Sequence, residues 1–171
     1  SSSALTADIR FRVSIAARLL FSMCFTPFVI TICLFLQATV EEALGYKALI
    51  IEYGAQSDKD TVVNFTNHSY FNLDGNASGN VENHKVYINA EKYTATTSEL
   101  IPTGELADIK GTPLDFTSEK RVGEDIDKDM DTLKYGKGYD LNYAINKPLG
   151  EFGLAARAKG EKWVNLLFYN H

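Results

Sequence analysis

From Leu19 to Val40 the chain runs for 22 residues without a charged side chain. A stretch this long and this apolar has to be removed from water somewhere, and three solutions are open. A membrane-spanning helix or signal anchor needs roughly 20 mostly apolar residues. Arg10, Arg12 and Arg18 precede the run and Glu41-Glu42 follow it, flanks that favour a cytoplasmic N-terminus. The run is long for the apolar region of a signal peptide. Pro27 falls in its middle, which a membrane helix tolerates better than a soluble one. A buried helix is the second solution. The third is a segment foreign to the domain that follows, such as a mispredicted gene start or unspliced sequence. An abrupt change of composition near Glu41 supports that third reading.

Beyond that point the texture is β. Leu49-Ile-Ile-Glu-Tyr53 and Thr61-Val-Val63 flank the polar stretch Gln56–Asp60. Lys85–Ala90 and Tyr139–Ile145 alternate with period two, and Gly153–Ala158 and Trp163–Tyr169 read as further strands. Asp74-Gly-Asn-Ala-Ser-Gly79 is a strong turn signal, and Pro102, Gly104, Gly111 and Pro113 punctuate short segments. One helical turn fits Glu119–Ile126. Short strands with frequent turns predict a sandwich or a barrel. Of the 171 residues, 1–40 carry a formal charge of +2 and the rest −7. An acidic body excludes a nucleic-acid partner, which needs a basic face. Cys24 and Cys33 match neither a zinc-site nor a disulfide spacing. The run Glu124–Asp131 lacks the glycine and glutamate positions of a calcium loop and reads as a solvated acidic loop. No metal and no cofactor is expected.

The segment Asn64–Leu73, read as a strand, puts Asn64, Thr66, His68, Tyr70 and Asn72 on one face. Amides, a phenol and an imidazole, with no lysine or glutamate among them, suit a neutral, hydroxyl-rich ligand. A solvated strand is the alternative. Sequons at Asn64, Asn67 and Asn76 are weak signals, and a glycan at the first two would block such a face.

Four linked pieces carry a resemblance. They are Thr61–Leu73; His84–Ala90 with Tyr93-Thr94; Leu100–Glu105 running on to Gly111–Phe116; and Gly138-Tyr-Asp-Leu-Asn-Tyr143. In order and spacing they resemble the central part of the aldose 1-epimerase (galactose mutarotase) family, over about residues 44–160. The resemblance implies a partial antiparallel β-sandwich of the galactose-mutarotase kind. Residues 44–171 would form a truncated domain, preceded by the apolar, helical segment 1–43. It implies interconversion of the α and β anomers of hexoses by acid/base ring opening. The C1 hydroxyl loses a proton while the ring oxygen gains one. His68 stands where the family's proton donor lies, and Asp140 matches its aspartate that binds sugar hydroxyls. Ser69 and Tyr70 fall in its sugar-contacting segment. His84 looks like a residue at the start of a strand, and His171 matches nothing.

Two expected parts have no match. The family's basic glutamate follows the fourth piece, and nothing after Gly160 resembles its surroundings; Glu161 lacks the context. An upstream Asn-Arg segment and a further histidine have no match in residues 1–43, and Leu141 stands where many members have histidine. The expectation is therefore an impaired epimerase that is marginally stable alone. The alternatives are a carbohydrate-binding module without turnover, or a gene fragment with no function of its own. The partner is a hexose. A membrane contact through residues 19–40 is a further possibility, and location follows it: cytoplasmic by family, anchored if the apolar segment spans.

Overall fold

The structure, a computed structural model, describes the backbone of residues 8–9, 13–25, 28–43, 46–62, 65–162 and 164–170. Among these residues, side chains are described from residue 51 onward, Glu52 excepted. The chain divides into two compact units, residues 1–68 and 69–171.

In the first unit, β1 (Asp8–Ile9), β2 (Val13–Phe25), β3 (Phe28–Ala43) and β4 (Tyr46–Ser57) form one antiparallel sheet in the order β1-β4-β3-β2. The apolar run is thus extended, where the sequence suggested a helix. β2 and β3 pair from Val13↔Ala38 to Phe25↔Phe28, and β3 pairs with β4 along most of its length. Two local reasons favour this. The run is rich in β-branched and aromatic residues, among them Val29, Ile30, Thr31, Ile32 and Phe35, which lose side-chain freedom in a helix and fit a pleated surface. Pro27 interrupts the run in sequence, and a proline in a helix interior removes a backbone hydrogen bond. Among the described residues no helix is long and apolar enough to cross a membrane.

The second unit holds two sheets. One has the order β11-β10-β5-β8, built from β5 (Lys85–Ile88), β8 (Lys120–Arg121), β10 (Gly153–Lys159) and β11 (Asn165–Asn170). The other has the order β7-β6-β9, from β6 (Ala90–Thr96), β7 (Pro102–Asp108) and β9 (Tyr143–Ile145). All pairs are antiparallel. The alternation over Lys85–Ala90 crosses from one sheet to the other at Asn89. Its N–H bonds Ala155 O at 2.8 Å, and its amide donates to Leu154 O and Asn146 O, both at 3.2 Å. One residue thereby closes the corner between sheets. Pro102 opens the edge strand β7, a position where proline is tolerated.

The expected helical turn is a short 3-10 turn, Val122–Glu124. A six-residue helix, α1 (Asp131–Gly136), starts at the last residue of the acidic run. That run is partly neutralised. Asp125 pairs with Lys120 at 2.7 Å, and Asp129 pairs with Lys134 of α1. The core is small: Tyr93, Ile109, Leu114 and Leu133, with Met130, Tyr139, Leu141 and Tyr143 packed against it. Ile109 and Leu114 are fully buried.

Candidate sugar site

The best-defined polar group of the site is Asp140, and the end of α1 places it. Lys137 adopts a left-handed conformation (φ 53°) and Gly138 follows at φ 133°, a backbone only glycine holds without strain. Gly138 N–H donates to Leu133 O at 2.9 Å, and Asp140 N–H turns back to Gly138 O at 3.0 Å. Gly136 lies so close that an added Cβ would meet Asp140 Cβ at 3.0 Å. The residues on either side of Asp140 are anchored inward. Tyr139 OH donates to Pro113 O at 3.3 Å and Tyr143 OH to Leu114 O at 2.9 Å. The Tyr139 ring meets Phe116 edge-on at 5.0 Å. Burial, reinforced by Asp125 and Glu124, raises the Tyr139 pKa to about 12. Burial also raises Tyr143 well above the usual phenol range, so both phenols stay protonated donors.

The third and fourth sequence pieces are therefore clamped together. The third is itself a built turn. Asp115 accepts from Gly111 N–H, Thr117 N–H and Thr117 Oγ1, and these bonds, the Thr117 hydroxyl first, hold its carboxyl below the usual range. Lys120 Nζ, over the Phe116 ring, donates to Pro113 O at 2.7 Å. On the outward side Asn142 Nδ2 donates to Thr94 Oγ1 at 2.9 Å, and Thr94 N–H donates to Asn142 O at 2.9 Å. The fourth piece is thus tied to the second. Asp140 itself is exposed, and its carboxylate has no hydrogen-bond or ion-pair partner among the described residues. A carboxylate left free on a rigid support is an acceptor for ligand hydroxyls.

The first piece is built differently from the strand expected. Residues 65–72 belong to no strand, and the bonds made beyond them close a loop, leaving no ladder. Asn72, read as part of a polar face, organises a turn. Its Oδ1 accepts from Asp74 N–H and Ser78 Oγ, both at 3.1 Å, and its amide donates to Gly79 O. Leu73 N–H donates to His84 Nε2 at 2.9 Å. His68, Ser69 and Tyr70 are exposed, Tyr70 at 88%. His68 falls in the first unit, and Ser69, Tyr70 and Asp140 fall in the second.

A profile of the aldose 1-epimerase family matches residues 35–163. The chain belongs to the aldose 1-epimerase family. It is 39% identical over 110 residues to galactose mutarotase from Homo sapiens, covering 64% of this chain and 31% of that protein. It is 42% identical over 111 residues to aldose 1-epimerase from Escherichia coli K12, covering 64% of this chain and 32% of that protein. The chain thus spans about a third of the curated epimerases it matches. Two solved structures share the fold. An aldose epimerase homologue from C. elegans aligns with TM-score 0.55 and 22% identity, over 94% of this chain and 43% of that one. A galactose 1-epimerase from Lactobacillus acidophilus NCFM aligns with TM-score 0.51 and 19% identity, over 84% and 45%.

Within this chain the residue that sequence reading undervalued is His84. It is 4% exposed and joins three segments. Its Nε2 accepts from Leu73, so the ring proton sits on Nδ1, 3.8 Å from Asp74 Oδ2. Asp74 in turn accepts the N–H groups of Lys162 at 2.9 Å and Glu161 at 3.2 Å. Those bonds, Lys162 first, hold its carboxyl below the usual range. Gly160 completes the arrangement, since a Cβ there would fall 2.8 Å from Asp74 Oδ1 and 2.9 Å from Leu73 Cβ. The turn signal Asp74-Gly75 and a histidine just ahead of a strand were the visible clues.

Proposed function

We propose that this chain contributes hexose-binding and proton-donating groups to the interconversion of α and β anomers by ring opening. The observation that carries the reading is the free, exposed carboxylate of Asp140, held above the anchored Tyr139 and Tyr143 in a chain of this family. Asp140 accepts two sugar hydroxyls and fixes the ring. His68 donates a proton to the ring oxygen while the C1 hydroxyl gives one up. The ring opens, the C1–C2 bond rotates, and closure delivers the other anomer. An imidazole suits this step because its ordinary pKa lies near neutrality. Ser69 and Tyr70 add a backbone contact and a phenol edge beside His68.

The reaction also needs a base for the C1 hydroxyl, and no carboxylate of these 171 residues stands in the family context for it. Binding without turnover is therefore the second reading. Glu161, the one carboxylate side chain after Gly160, follows a backbone already tied to Asp74. Two measurements on the 171-residue chain separate the readings. Saturation-transfer NMR with galactose and glucose is expected to show binding that Asp140→Ala removes; no binding of either sugar sinks both readings. Polarimetry on fresh α-glucose or α-galactose is expected to stay near the uncatalysed rate. Catalysis abolished by His68→Ala would show that the chain supplies its own base.

A further inference from the structure

A rung of positive charge crosses the β11-β10-β5-β8 sheet at one end. Lys159 of β10 pairs in register with Lys85 of β5, and Lys85 pairs with Arg121 of β8. Residues directly opposite in a ladder share a face, and neighbouring strands lie about 4.8 Å apart. Three cations therefore stand side by side in a chain whose net charge is −5. Like charges in this relation destabilise a sheet, so the arrangement needs a counter-charge. One is supplied internally. Glu119 takes Lys159 Nζ at 3.0 Å and Arg157 Nη2 at 3.0 Å. It is thereby committed to β10. The side chains of Lys85 and Arg121 have no hydrogen-bond or ion-pair partner among the described residues.

The same rung lines a cleft of about 580 Å³, within the range of small-molecule sites. Asn83 and Asn165 add amides to its wall, and Glu161 is its second carboxylate. Neither Asp140 nor Tyr70 lines it, so the cleft does not depend on the sugar-site reading. We propose that this cleft binds a phosphate monoester with a neutral, polar body, its phosphoryl group held between Lys85 and Arg121. A phosphoryl dianion matches two unpaired cations, and a guanidinium holds it through two parallel N–H bonds. The amides of Asn83 and Asn165 suit hydroxyls on the ester body. Glu161 disfavours a second negative group on the ligand.

Calorimetric titration of the 171-residue chain with glycerol phosphate and with inorganic phosphate, at low and at high salt, tests the assignment. Saturable binding of the ester is expected, weakened by salt. It is expected to fall at least about tenfold in the double variant Lys85→Gln/Arg121→Gln, since each change removes a charged hydrogen bond. Inorganic phosphate binding as tightly as the ester would identify the free ion as the ligand of the same groups. No saturable binding, or undiminished binding in the double variant, overturns the proposal. Amide shifts at residues 85, 121 and 159 in the unmutated chain, recorded during the same titration, give a readout independent of the variant's folding. A titration that leaves those shifts unmoved also overturns it.

Discussion

The segments 65–73 and 138–143 both alternate apolar and polar residues, yet they are supported in opposite ways. The second is held from beneath. Tyr139, Leu141 and Tyr143 reach the core, two phenols are bonded to carbonyls, and Asp140 is left over on the outside. The first is held from its end. Asn72 closes a turn, Leu73 hangs on the buried His84 and Phe71 meets Phe168 edge-on at 5.8 Å, while the side chains of Ser69 and Tyr70 are exposed. An exposed polar group can thus be fixed either by burying its neighbours or by tethering the loop that carries it.

The largest effect is expected at the support of the second segment. Leu114→Ala empties a fully buried position whose carbonyl also receives the Tyr143 hydroxyl. A loss of about 2–5 kcal/mol in denaturant unfolding is expected. A loss below about 1 kcal/mol would show that the Asp140 platform does not rest on this core. For the first segment, His84→Leu keeps volume but strands the Leu73 N–H. The expected cost is about 1–3 kcal/mol, with faster hydrogen exchange at residues 72–84. Exchange that quickens equally around Tyr139 would erase the contrast between the two supports.

Alkaline pH separates them further. Burial raises Tyr139 to about 12 and Tyr143 higher still, against an ordinary phenol value near 10 in the unfolded chain. The folded state therefore holds protons that the unfolded state releases. This contribution is intact below about pH 10 and is lost as pH rises towards the folded values. Denaturant midpoints are expected to fall from about pH 10 upward, and Tyr143→Phe is expected to flatten the decline. A decline unchanged by that substitution would place its origin elsewhere. The smallest effect on stability is expected at Asp140 itself. Asp140→Ala removes an exposed, unpartnered carboxylate and is expected to change stability by less than about 0.5 kcal/mol. A larger loss would mean that the aspartate serves the fold and is not held in reserve for a ligand.

Much of the β character was legible because it rests on local pattern. Gly153–Ala158 and Trp163–Tyr169 fall on β10 and β11, and Lys85–Ala90 falls on β5 and the start of β6. The inward placement of Tyr139, Leu141 and Tyr143 followed from period two, although only residues 143–145 join a ladder. Reading failed where pattern and partner disagree. Asn64–Leu73 alternates like a strand, but its described residues find no neighbouring strand. The uncharged run 19–40 has helix-like length, but β4 offers a partner to its β-branched residues. His84 could not be told from any histidine at a strand start, because its worth lies in Leu73 and Asp74, eleven and ten positions away.

Local chemistry, carried by residue order alone, determined the family, the β texture, and the imidazole and carboxylate proposed for a sugar. These are properties of spacing and side-chain type, which survive without knowing what touches what. Contact across the chain decided the rest. It set which alternating segments became strands, which histidine was buried, and which carboxylate was left free. It also brought Lys159, Lys85 and Arg121 onto one rung from three distant strands. Hydrogen-bond partners and like-charge neighbours are set by register between strands, and register depends on residues too far apart in sequence for any local pattern to connect.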